Sequence, residues 1–392
     1  MKKVLMILMF VLLFSCEESQ VNNQAVQNEV LPAEEVVEAV EETPSEDVDL
    51  EEETKDVEML SDNPLELESD FFGTYIIDGE DLTGDFEHLI KENDSVMLED
   101  SQIEGTFVSP VFKAHDFIEG VVSWNVNTNL DNYVEVFIKV GTEHGFSDWM
   151  SYGKWSTDGR NKGRVSGQSD DYSQMVIDTV KLSQWFPGKQ FQLKVVMSRK
   201  DASVDSPKLN QLTFTTQTLE KIKAQIEPKD FEIDVPELSQ MGVEKIGSRI
   251  CSPTSLTMLL NYYGIELTPE ITANAVYDNG ADIYGNWSYN MAFASEQGLS
   301  AHVQRCNNFK EVMDIVESKI PVAISIESDF QIENSPMAYP AGHLLVVRGF
   351  TKDNFVIVND PASPVGEEVR RMYPLSQLKN AWTGYIYYLT NE

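Results

Sequence analysis

Cysteine is scarce in this chain: three residues among 392, at Cys16, Cys251 and Cys306. That scarcity excludes a disulfide-stapled scaffold, and a chain of this size has core enough to fold without one. Histidine is scarce too, with five scattered residues. No Cys/His spacing of the zinc-binding kind occurs, so neither a metal nor another cofactor is expected. Positive charge is the third deficit. Lys and Arg number 29 against 65 Asp and Glu, for a net charge of −36. No cluster of basic residues stands against this excess, which argues against nucleic acid or an anionic lipid surface as a charge-driven partner. The apolar run Val4 to Phe14 is too short to cross a bilayer and, behind Lys2 and Lys3, reads as the core of a signal peptide.

Residues 17–70 lack aromatics altogether and hold 20 Asp or Glu against one Lys. Such a segment cannot bury enough apolar surface to offset its ordering entropy, so it is expected to be a disordered, self-repelling tether. The sequence ahead of it, Leu13-Phe14-Ser15-Cys16, resembles the lipobox of bacterial lipoproteins. That resemblance implies cleavage before Cys16, lipidation of Cys16, and a folded part held on a leash outside the cytoplasm, anchored to a membrane of the cell envelope. The expected organisation is a signal peptide over 1–15, a lipidated Cys and acidic linker over 16–70, a first domain over 71–220, a connector over 221–230 and a second domain over 231–392.

The first domain reads as all-β. Val134, Val136, Ile138 and Val140 alternate with polar residues, as do Phe191, Leu193, Val195 and Met197. Short strands also fit Val121 to Val126 and Leu209 to Phe214, with turn-rich segments between, a pattern that predicts an antiparallel sandwich. Trp124, Trp149, Trp155 and Trp185 are expected to fill its core or ends; the alternative is an exposed platform that stacks on a glycan. The second domain mixes the two periodicities. Helices are predicted from Cys251 onward, around Pro269 to Tyr277, from Met291 to Gln297 and from Phe309 to Ser318. Strands follow at Val322 to Ile326, Leu344 to Phe350, Phe355 to Asn359 and Gly384 to Leu389. Helices first and strands after reads as α+β.

The chemistry of the second domain centres on Cys251. Pro253 suits the first position of a helix, Leu256, Leu259, Leu260 and Tyr263 recur on one face, and Gly264 supplies a stop. The thiol therefore stands before a helix, where unpaired N–H groups and the positive end of the dipole favour thiolate over thiol. A nucleophilic thiol needs a base, and His is the usual one. His302 sits in an ordinary edge-like strand. His343, behind Gly342, opens the apolar run Leu344 to Val347 and can project into a cleft. The strand Phe355 to Asn359 follows after a short turn and ends in Asp360-Pro361. With a two-residue loop at Thr351-Lys352, His343 pairs with Asp360, which would orient the imidazole and stabilise its cation. A longer turn shifts the register by a residue or two and keeps the ends adjacent. The backbone N–H of Cys251 can serve as one oxyanion donor.

Four stretches in order carry a resemblance: Val235 to Gln240, Cys251 to Leu260, Gly342 to Phe350 and Val358 to Ala362, with support from Val369 to Tyr373 and from Ala381-Trp382. Together they resemble the C39-like branch of papain-fold cysteine peptidases over about residues 231–390. The segment Asp148 to Ser156 resembles, more loosely, the sandwich found ahead of some such domains. The resemblance implies a papain-like α+β fold, Cys251 as nucleophile, His343 as base, Asp360 as its orienter and Gln240 as a second oxyanion donor. Ile250-Cys251-Ser252 departs from the family's usual residues around the nucleophile, which leaves substrate preference open. A hydrolase of peptide or amide bonds, with peptides or cell-wall fragments as substrates, is the expected function. An acyl transferase with the same triad, or a non-catalytic lipoprotein whose sandwich captures a glycan or protein, are the alternatives.

Overall fold

The structure is a computed structural model and describes residues 58–68, 71–157 and 162–391. The expected signal peptide, Cys16 and most of the acidic tether lie outside the described residues. Among the described residues no helix is long and apolar enough to cross a membrane.

Thirteen strands of the first region join one hydrogen-bonded, barrel-like sheet. Its long members are β1 (Phe112–Asn127), β2 (Asn132–Thr142), β3 (Gly188–Arg199) and β4 (Lys208–Thr218). β1 pairs with β4 over most of its length and with the start of β3 at its own start, so the expected two layers are linked through β1 rather than separate. The alternation is realised in full. Val134, Val136, Ile138 and Val140 of β2 and Phe191, Leu193, Val195 and Met197 of β3 are completely buried. Residues 58–68, expected in the tether, instead lie on this sheet. Leu65 N–H donates to Val111 O at 2.9 Å, Lys113 N–H to Leu65 O at 2.8 Å and Phe146 N–H to Glu58 O at 2.8 Å, which satisfies backbone groups that a solvated tether would leave to water.

The second region begins with a two-residue strand, Phe231–Glu232, and then builds α1 (Cys251–Tyr262), α2 (Pro269–Val276), α3 (Trp287–Glu296), β5 (Ser300–Arg305), α4 (Phe309–Glu317), β6 (Val322–Ser328), β7 (Tyr339–Thr351), β8 (Phe355–Asn359), β9 (Arg370–Pro374), α5 (Leu375–Ala381) and β10 (Trp382–Thr390). The strand order is β5-β10-β6-β7-β8-β9, antiparallel throughout, with Phe231–Glu232 on β7. Helices α2, α3 and α4 start at Thr268, Asn286 and Asn308, whose side chains accept from backbone N–H groups of the first turn. The Asn286 cap starts α3 four residues before the predicted Met291.

β5 ends the sheet, yet its outer edge is not open. Val303 N–H donates to Ser123 Oγ at 3.1 Å and Arg305 N–H to Thr215 Oγ1 at 2.8 Å, both hydroxyls belonging to the first region. Side chains thus take the place of a further strand and block edge-to-edge pairing. Helix α3 is gripped in the same way: Ser288 Oγ donates to Val122 O, Val126 N–H donates to Ser295 Oγ, and Glu296 accepts from Trp155 Nε1, Thr128 and Thr157. Of the four tryptophans, Trp124 and Trp155 are buried and pack on Tyr289 of α3, whereas Trp185 is 76% exposed.

Candidate active site

Helix α1 begins at Cys251 itself, so Pro253 is its third residue rather than its first. The shift costs nothing, because the first four N–H groups of a helix have no intrahelical partner. No side chain caps this end. The face of Leu256, Leu259 and Leu260 is completely buried, and Gly264 ends the helix at φ +84° as expected. α1 is tied to the sheet by Ser255 Oγ, which donates to Leu344 O at 3.1 Å, and by Ser252 Oγ, 2.7 Å from Tyr387 OH. Ser252 and Ser255 thus lock the helix that carries the thiol against β7 and β10.

Cys251 is half-buried and free. Burial pushes its thiol up, but the hydrogen bond and charge of His343 outweigh that, and the net effect holds it below the ordinary thiol value. Cys306 makes the contrast: it is free, fully buried, and driven well above the ordinary range by that burial.

His343 and Asp360 come together through a hairpin whose register differs from the simplest expectation. The loop is three residues, Lys352 to Asn354, with Asn354 left-handed at φ +64°. A register shift between Val347 and Gly349 then marks a bulge at Arg348. Beyond it Val346 faces Asn359, which sets Asp360 opposite Leu345, two residues from His343 and on the same face of β7. His343 Nε2 lies 2.9 Å from Asp360 Oδ1, with both side chains buried. Nδ1 is then the ring nitrogen left for the thiol, with which His343 also hydrogen-bonds. Burial alone would lower the imidazole; the Asp360 charge and hydrogen bond, with the thiol's contribution, raise it to about 10. Burial alone would raise the Asp360 carboxyl; the histidine and its hydrogen bonds hold it at about 2.

Two tyrosines complete the carboxylate's shell. Tyr339 OH donates to Asp360 Oδ2 at 2.6 Å and Tyr373 OH to the same oxygen at 2.5 Å, while Ala362 N–H donates to Oδ1 at 2.9 Å. The ring of Tyr339 also lies flat on the imidazole, centroids 4.1 Å apart and planes 5° apart. The place of Tyr339 beside both His343 and Asp360 depends on β7 pairing with β8.

Gln240 is buried and bracketed by the same elements. Its N–H donates to Pro361 O at 2.9 Å and its Nε2 to Gly247 O at 2.7 Å, four residues before the thiol. One amide hydrogen is thereby fixed and the second remains, while Oε1 is buried without a partner among the described residues. Arg348, turned inward by the bulge, holds the chain leading to Gln240. It donates to Ile233 O and Val235 O and reaches Glu237 and Asn359, and Asn359 Nδ2 donates to Val235 O and Pro236 O. Nothing in the periodicity of the sequence singles out Arg348 for this role. His302 lies elsewhere, buried and stacked on Tyr388, and burial lowers it to about 4. Trp382 packs on Phe309 and is likewise not part of this cluster.

A thiol at a helix N-terminus, an imidazole against it and a buried carboxylate behind the imidazole form the arrangement that a cysteine peptidase requires. Residues 232–389 match the Peptidase_C39 like family, and residues 90–217 match the Peptidase C39 N-terminal domain, so the second region is a C39-like peptidase domain. Among solved structures, the chain is similar to a putative C39-like peptidase from Bacillus anthracis, at 17% identity and a TM-score of 0.33, over 41% of this chain and 98% of that one. It is also similar to the peptidase domain of Streptococcus ComA, a bifunctional ABC transporter involved in quorum sensing, at 15% identity and a TM-score of 0.29, over 43% of this chain and 100% of that one. No curated protein matches the chain.

Proposed function

We propose that this chain is a membrane-anchored, extracytoplasmic cysteine hydrolase that cleaves peptide or amide bonds through an acyl-enzyme. The observation that carries the reading is the placement of His343 between the Cys251 thiol and the Asp360 carboxylate. Cys251 is the nucleophile. Its proton passes to His343, giving a thiolate and an imidazolium; the thiolate adds to the carbonyl carbon and the imidazolium protonates the leaving amine. Water, deprotonated by the now neutral His343, then resolves the thioester and regenerates the thiol. Asp360 holds the imidazole's orientation and balances its charge, and the tyrosines hold Asp360. The uncapped N–H at Cys251 and the second amide hydrogen of Gln240 are the donors for the oxyanion. The anchor in this reading is the lipidated Cys16, on the far side of an acidic segment, and the site of action is the cell envelope. The exposed Trp185 leaves room for a second reading, in which the first region also captures a glycan or protein.

The test is a digest of a peptide library, with cell-wall peptides included, by the wild-type chain and by Cys251→Ala. Cleavage that the variant loses supports hydrolysis; products joined to an added amine point to acyl transfer. Cleavage retained by Cys251→Ala removes the thiol mechanism.

A further inference from the structure

Away from the thiol, the segment between the two regions runs beside the second region and forms a cleft of about 580 Å³ with α4 and the start of β10. Trp382, backed by the buried Phe309, contributes an apolar wall, and Lys221, Lys223 and Lys379 line the cleft together with the single acidic residue Glu220. The three lysines are exposed and form no ion pair among the described residues. In a chain with a net charge of −36, three uncompensated cations at one cleft are a local reversal of sign.

The wall itself has a second property. From Lys221 to Lys229 the backbone makes no hydrogen bond to other backbone groups among the described residues, and most of these residues are exposed. This segment lies outside every helix and strand, and its N–H and C=O groups can pair with an extended chain whose alternate side chains enter the cleft. Trp382 pairs with Ile326, and Ile326 pairs with His343, so the apolar wall stands two strands, or about 10 Å of sheet, from the imidazole.

We propose that this cleft is a docking site for an extended acidic peptide segment with apolar residues at alternate positions, and that such segments mark the substrates of the Cys251 site. The choice of a peptide as occupant rests on the hydrolase reading above. Main-chain pairing with residues 221–229 supplies the register, Trp382 takes the apolar side chains, and the lysines select carboxylates.

The test uses the full chain carrying Cys251→Ala and a short fluorescent peptide that alternates glutamate with valine. Anisotropy should report binding that weakens with salt and falls about tenfold when Lys221, Lys223 and Lys379 are all changed to Gln, the combined effect of three exposed ion pairs. Equal binding of glutamine–valine or lysine–valine peptides, an unchanged Kd in the triple variant, or complete displacement by inorganic phosphate overturns the proposal. In the chain with its thiol intact, the triple variant should raise KM for acidic peptides and leave kcat unchanged. Binding needs no thiol, so the two readings fail separately. Probe binding without any cleavage sinks the hydrolase and spares the cleft; cleavage of neutral peptides without probe binding does the opposite.

Discussion

Asp360→Asn tests the core of the site, because the substitution keeps the size of the side chain and removes its charge. Asp360 is fully buried and accepts four hydrogen bonds, from His343, Ala362, Tyr339 and Tyr373. Its charge is the first cause that raises His343 to about 10 against the desolvation that lowers it. Without that charge burial wins, and the imidazole is neutral through the physiological range. The thiol then loses the cation that holds it below the ordinary value. An ordinary thiol is less than about 1% thiolate at pH 6, so the wild-type thiol, held below that ordinary value by His343, reacts faster there than a free thiol does. Limiting iodoacetamide at pH 6, read by mass spectrometry on the Cys251 peptide, should show that advantage in the wild type and its loss in Asp360→Asn. Cys306 is the internal control, since its burial keeps it protonated and out of reach. In parallel kcat/KM should fall about 10²- to 10⁴-fold, the range for loss of an effective general acid–base. Stability has a sign as well. The raised His343 stabilises the fold fully below its unfolded value of 6.5, and that contribution is lost as pH rises through about 10. The depressed Asp360 stabilises it above 3.8, and that contribution is lost as pH falls through about 2. The Tm deficit of Asp360→Asn should therefore be largest between 3.8 and 6.5. Equal labelling of the Cys251 peptide at pH 6 in both proteins would refute the ion-pair argument.

Tyr339→Phe keeps the ring on the imidazole and deletes one hydrogen bond to Asp360; Tyr339→Leu deletes both. The alkaline limb of the kcat/KM profile should move down slightly in the first and further in the second, as water reaches the His343–Asp360 pair, and identical profiles would make Tyr339 a packing residue only. At the contact between the two regions, Glu296→Ala strips the acceptor from Trp155 Nε1 and from Thr128 and Thr157. Leaving the buried Trp155 Nε1–H unmet should cost about 1–3 kcal/mol and lower the Tm by several degrees in calorimetry, with the pH dependence of Cys251 labelling unchanged.

The alternating residues of β2 and β3 and the apolar face of α1 were legible because each depends on a local period, and the buried faces are those that the period marks. The pairing of His343 with Asp360 was legible only in outline. Hairpin connectivity brings the two strand ends together, but the register rests on a three-residue loop with a left-handed Asn354 and on a bulge at Arg348, and neither follows from strand periodicity. The bulge has its own cause. Gly349 lies so close to Phe231–Glu232 that a Cβ there would sit 2.2 Å from Phe231 O, so that strand can approach only at a glycine, and Arg348 beside it turns inward. Residues 58–68 show the opposite failure. Their acidic composition reads as tether, yet Leu65 finds backbone partners at Val111 and Lys113 and Glu58 one at Phe146, which no count of charges reveals.

By itself, then, the sequence determined that a thiol stands at the N-terminus of a buried helix and that a histidine and an aspartate open and close one hairpin, since helix ends and strand faces are set within a few residues. Tertiary structure decided that these three groups share one hydrogen-bonded line, that Tyr339 and Tyr373 converge on Asp360, and that Gln240 is held beside Pro361. Those contacts join segments up to more than a hundred residues apart, and their geometry depends on register, bulges and burial, which only the packed sheet defines.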